Sequence, residues 1–190
     1  MSELPEVEHP EKNKWVALLI AALALFLAFA EAGNSNNENA ALEANIEASN
    51  LWSFFQAKTI RGTVLRTAVE QMELDATIIA DPAARDLMKK RMDTWKATIA
   101  RYDSEPETNE GRKELAVRAK EKEAIRALSS QKKEIFEVAA KLFQIGIILA
   151  SAMIITGMAW LALAGGALGI GGLALMAFAI WAPYAIHLPF

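Results

Sequence analysis

Three stretches of this chain run apolar without interruption, and the polar stretches between them carry apolar residues at helical spacing. The first run is Trp15 to Ala30, preceded by Lys12 and Lys14. The others lie in the carboxy-terminal part, where no Asp, Glu, Lys or Arg follows Lys141. A spanning helix needs about 20 predominantly apolar residues, and a charge at the bilayer centre costs about 2.5–3.5 kcal/mol. The pattern predicts an all-α membrane protein. Its three transmembrane helices are expected over residues 15–32, 138–163 and 167–187, behind a polar tail over 1–14. The first run also has the basic flank and the small-x-small triplet Ala28-Phe29-Ala30 of a cleavable signal. It is read as a retained anchor.

The segment 33–137 is dominated by strong helix formers and predicts a long helical hairpin or coiled-coil-like domain between the first and second spans. Its helices are expected over about 38–80, 82–102 and 109–137. Gly33, Asn34, Ser35, Asn36 and Asn37 favour turns over helix, so the first helix is expected to break there. Asp81-Pro82 reads as an N-cap followed by proline at the first helical position. Met88, Met92, Trp95, Ile99 and Tyr102 alternate by four and three, which is a packing seam. Leu128, Ile135, Leu142 and Leu149 stand seven apart and carry the third helix through Lys141 into the apolar region. From about Asn109 to Leu163 that helix would be roughly 80 Å long.

The glycine cluster Gly165 to Gly172 is expected to form the turn of the final hairpin. No Lys, Ser or Thr follows it in a phosphate-cradling order. Gly146, Gly165 and Gly169 are candidate positions of close helix approach. Pro183 is expected to end the last helix and leave Trp181, Tyr184 and His187 in an interfacial belt.

Charge and chemistry narrow the function classes. The 20 basic and 23 acidic residues give a net charge of -3, with no basic stripe to suit nucleic acid. Cysteine is absent, which removes disulfides, thiolate metal sites and a cysteine nucleophile. His9 and His187 stand at opposite ends without acidic partners in a ligand spacing. Glu43 with Glu47, and Asp103 with Glu105 and Glu107, read as surface charge. No catalytic residue, metal ligand or cofactor site is expected. The chain is read as not an enzyme.

One segment mixes large aromatics with polar and basic residues: Asn50-Leu51-Trp52-Ser53-Phe54-Phe55-Gln56-Ala57-Lys58-Thr59-Ile60-Arg61. Trp and Arg dominate interface energies, so Asn50, Trp52, Phe55, Gln56, Lys58 and Arg61 are the candidate partner-binding residues. The competing reading is a buried seam with a polar outer face. Gln144 and Ser151, seven apart, are candidate pore-facing residues, and Thr156 lies nearby.

The stretch from Ala44 to Arg61, placed between one amino-terminal span and a carboxy-terminal hairpin, resembles a bacterial family of uncharacterised membrane proteins, domain of unknown function 4337. The resemblance implies the bacterial inner membrane and carries over no activity or catalytic residue. The expectation is a multi-pass structural or interaction protein among membrane lipids. It self-assembles as a homo-oligomer or docks a membrane-protein partner through its helical domain. The alternative is an oligomeric pore or transport subunit. Lys12 and Lys14 before the first span place the amino terminus in the cytoplasm and the helical domain in the periplasm. Lys132, Lys133 and Lys141 before the second span pull the other way.

Overall fold

The computed structural model describes residues 10–185; His9, His187 and most of the expected tail lie outside them. The described residues form four α-helices and a closing 3-10 turn, with no strand: α1 (Pro10–Ile78), α2 (Pro82–Asp103), α3 (Arg112–Thr156), α4 (Ala159–Trp181) and the turn Pro183–Ala185. Three of these helices, α1, α3 and α4, are long and apolar enough to cross a membrane. The chain divides into two compact units, one of residues 1–41 and 127–190, the other of residues 42–126.

The first correction concerns the expected break after residue 32. Helix α1 passes through Gly33 to Asn37 without interruption. Two contacts explain this. The Asn37 side-chain amide donates to the Gly33 carbonyl at 2.7 Å, back along the helix. The Phe136 ring lies where a Gly33 Cβ would stand, about 2.7 Å from it. Gly33 is therefore a seat for an aromatic ring rather than a hinge, and tertiary packing overrides its weak helix propensity.

The second correction moves the hairpin turn. Helix α3 ends at Thr156 rather than at 163, and α4 begins at Ala159 rather than at 167. Gly157 takes φ +71, where a Cβ is disfavoured, and its N–H donates to the Met153 carbonyl at 2.8 Å. The Thr156 hydroxyl donates to Ala152 O and accepts from Met158 N, closing the turn in two residues. The glycines from 165 to 172 lie inside α4.

Those glycines set how closely the helices of this unit approach. A Cβ on Gly146 would meet the Gly165 carbonyl at 2.9 Å, and one on Gly165 would meet the Gly146 carbonyl at 2.6 Å. Such contact demands small residues on both sides. Gly169 faces Leu23 of α1, and Gly172 receives the Phe143 ring. Around these contacts the core joins Leu23, Ala30, Ala139, Ala140 and Phe143, with Val16, Ala150, Met153 and Leu161 at one end and Ile135, Phe136 and Ala179 at the other. Phe26 stacks on Phe143 at 6.1 Å. Of the seven-residue row, Ile135 is fully enclosed, whereas Leu128, Leu142 and Leu149 are half-buried. The deepest stripe of α3 runs beside that row, through Phe136, Ala139, Ala140, Phe143, Gly146, Ala150 and Met153.

The outward residues of this unit are large and apolar. Leu18, Leu25 and Phe29 on α1, Ile148 and Ile155 on α3, and Leu163, Ile170 and Phe178 on α4 are all exposed. Trp160 and Trp181 stand exposed at the two ends of α4, 21 residues and thus about 31 Å apart, against a hydrocarbon core of about 30 Å. Tryptophan favours such interfaces. Lys141 turns its ammonium back one helical turn to Glu137 at 2.8 Å, toward the Trp181 end, as a snorkelling lysine does.

Candidate functional site

In the second unit the residues 42–78 of α1, all of α2 and the first part of α3 form a helical body closed at the α2–α3 corner. Asp81 caps α2 by accepting from Ala83 N at 3.0 Å, with Pro82 at the first helical position. Helix α2 ends at Asp103, and the next eight residues turn the chain into α3. Asn109 takes φ 56 there. A Cβ on Gly111 would collide with the Ser104 and Glu105 backbone. Glu114 ties the corner from the first turn of α3, accepting from the Ser104 hydroxyl at 2.6 Å and from Glu105 N at 3.1 Å.

The Trp52 segment packs against this corner and α3 with one face only. Trp52 donates its indole N–H to Glu123 at 2.8 Å and meets Phe55 edge to face at 5.4 Å. The Arg112 guanidinium lies 5.0 Å from the Phe55 ring. Lys58 is 5% exposed, with its ammonium 3.6 Å from Glu105, 3.8 Å from Glu110, and 5.1 and 5.8 Å from the Phe54 and Tyr102 rings. Asn50, Gln56 and Arg61 are exposed. The six candidate partner-binding residues thus divide: Trp52, Phe55 and Lys58 are committed inward, and Asn50, Gln56 and Arg61 remain on the surface. The mixed composition of the segment marks Lys58 as a partner-binding candidate, whereas the structure spends it inside the fold. The acidic corner that receives it, 47 residues away at Glu105, carried no local signal.

Asp103 is the electrostatic pivot of the corner. It accepts from Arg66 at 2.7 Å and from Arg112 at 2.9 Å. Burial pushes its carboxyl up, but the hydrogen bonds and charges of the two arginines outweigh burial and hold it below the ordinary value. Hydrogen bonds from Ser104 and Glu105 lower Glu114 likewise. Both groups therefore add stability that is complete above the ordinary carboxylate range and fades as pH falls through their lowered values. Amide protection at the corner, taken as the exchange rate relative to the intrinsic rate at each pH, is expected to fall on acidification below about pH 4, and Asp103→Asn should flatten that dependence. Protection that stays constant with pH in the parent would refute this account.

These pairs are shared among side chains of the fold, and the arrangement holds helices together. Among the described residues no group of three His, Cys, Asp or Glu is placed to hold a metal ion. A shallow hollow lined by Phe55, Asp103, Arg112, Lys113 and Ala116 opens beside the pivot. In the first unit, Gln144 is exposed and donates to Glu31 at 3.4 Å, while Ser151 is half-buried.

The family model described as Domain of unknown function (DUF4337) matches residues 12–182. The chain belongs to this family. The match takes in both units, all four helices but for two residues at the start of α1, and every candidate residue named above. No curated protein and no solved structure matches the chain, so the family's description is the whole of what likeness adds.

Proposed function

We propose that this member of the DUF4337 family is a non-enzymatic structural or interaction protein of the bacterial inner membrane, which anchors a helical assembly domain. One observation carries the reading: a single uninterrupted helix, α1, supplies both an apolar span in the first unit and the buried seam Ala44, Ala48, Lys58 and Val69 in the second. The boundary between the two units falls inside this helix. Asp103, paired with Arg66 and Arg112, supports the same reading, because these groups are engaged in holding the corner of the second unit. The basic residues before the first span favour a cytoplasmic amino terminus and a periplasmic helical domain.

Native mass spectrometry of the detergent-solubilised chain, with cross-linking in membranes beforehand, tests the proposal. An oligomer or a cross-linked partner is expected. A strict monomer that recovers no partner overturns it, and a reproducible conductance altered by Gln144→Leu would assign an oligomeric pore instead. A reporter fused within α2 that is active only in the cytoplasm would invert the orientation.

A further inference from the structure

Opposite its buried seam, α1 carries a second row of apolar residues that nothing among the described residues covers. Leu42, Ile46, Ile60, Val64, Leu74 and Ile78 are each more than half exposed. Leu42, Ile60 and Ile78 stand 18 residues apart, as do Ile46 and Val64, and 18 residues are five full turns of an α-helix. They therefore lie on one straight face. The positions between them on that face are two serines, a threonine and two glutamines, all exposed. Charges stand beside the face and not on it. Glu43, Arg61 and Glu70 lie about 80–100° round the helix, and Asp75, about 60° round, is held by the Gln71 amide at 3.0 Å.

We propose that this face, from Leu42 to Ile78, is where two copies of the chain pair side by side, an interface that specifies the self-assembly reading above and rests on it. Copies inserted the same way in one membrane run α1 in the same sense, so each residue of the face meets its own equivalent across a two-fold axis. That geometry sets aliphatic against aliphatic. Hydroxyls and amides, which both donate and accept, meet their like. A charge on the row would oppose itself, and none is there. Depletion of charge is also the compositional mark of an interface core.

The extent is sufficient. The thirty-six residue steps from Leu42 to Ile78, at 1.5 Å each, make a face about 54 Å long, and a helix about 10–12 Å wide then offers about 600 Å² per copy. Two such faces reach about 1,200 Å², where specific interfaces begin. An 18-residue repeat keeps straight helices in contact without supercoiling. Confinement to the bilayer raises the effective concentration of the partner further. A lipid surface fits less well, because the flank carries Glu43, Glu70 and Asp75 against a single Arg61, where a membrane-lying helix is rich in Lys and Arg.

The absence of cysteine makes the test clean. Ile60→Cys and Arg61→Cys, each the sole thiol in the full chain, are treated in membranes with a short bis-maleimide. A dimer-mass product is expected from Ile60→Cys and at least tenfold less from Arg61→Cys. No product from Ile60→Cys, equal yields from both, or a product of Ile60→Cys with a different protein would overturn the interface. The double variant Ile60→Glu with Val64→Glu, its helicity checked by circular dichroism, is expected to weaken dimerisation at least tenfold in native mass measurements. If that variant still assembles like the parent, this face is wrong and self-assembly stands; if the parent is a monomer, both readings fall.

Discussion

Gly165→Leu is expected to unfold the packing of α3 on α4, lowering the stability of the first unit by about 2–3 kcal/mol. A Cβ at this position falls 2.6 Å from the Gly146 carbonyl, and the obstacle is backbone, which no rotamer change can move. The helices must separate, and the contacts that Phe143 makes with Gly172 loosen with them. Gly166→Ala supplies the contrast. A Cβ there meets nothing within 4 Å, and alanine removes the propensity cost of glycine, so stability should hold or rise by up to about 1 kcal/mol. Denaturant titration in detergent micelles, followed by helical circular dichroism, measures both. Equal effects of the two substitutions would show that the Gly146–Gly165 approach does not hold the hairpin.

Removing the anions around Lys58 is expected to cost more than removing Lys58 itself. Glu105→Gln with Glu110→Gln leaves an ammonium only 5% exposed without a carboxylate, which costs about 3 kcal/mol by the precedent of broken buried pairs. Most of the effect belongs to Glu105, because the Glu110 side chain is half exposed and its interaction is screened by water. Lys58→Met keeps the aliphatic stem between Phe54 and Tyr102 and removes the charge, so the loss should stay within about 1 kcal/mol. Hydrogen exchange at the amides of the α2–α3 corner reads the difference. If Lys58→Met proves the more damaging change, the lysine is holding the corner by attraction rather than being tolerated there.

Much of the architecture was legible along the chain because its signals are local. Uncharged runs of span length mark helices that suit a bilayer, whatever they pack against. Asp81-Pro82 fixes the start of α2 through a hydrogen bond made two residues away. Trp181 and Pro183 lie at the end of α4 where an interfacial aromatic and a helix stop belong. The candidate site was half legible: the mix of aromatic and basic residues from Asn50 to Arg61 marked the segment, but composition cannot say which of its side chains meet solvent, a partner or another helix of the same chain.

The glycines show the limit most clearly. Composition alone gave Gly33 and the Gly165–Gly172 cluster the same meaning, a break, and assigned Gly157 none. The fold reverses this. Gly157 is the one that takes a left-handed φ, while Gly33 and Gly172 stay helical because a ring from another helix, Phe136 or Phe143, fills the space a side chain would need. By itself the sequence determined that the chain is helical, that three helices suit a membrane and where charge stops. Only the tertiary structure decided which glycines bend the chain and which bring helices together, and which face of α1 is spent inside and which is left open. Backbone propensity is a property of one residue, whereas close packing depends on residues a hundred positions away.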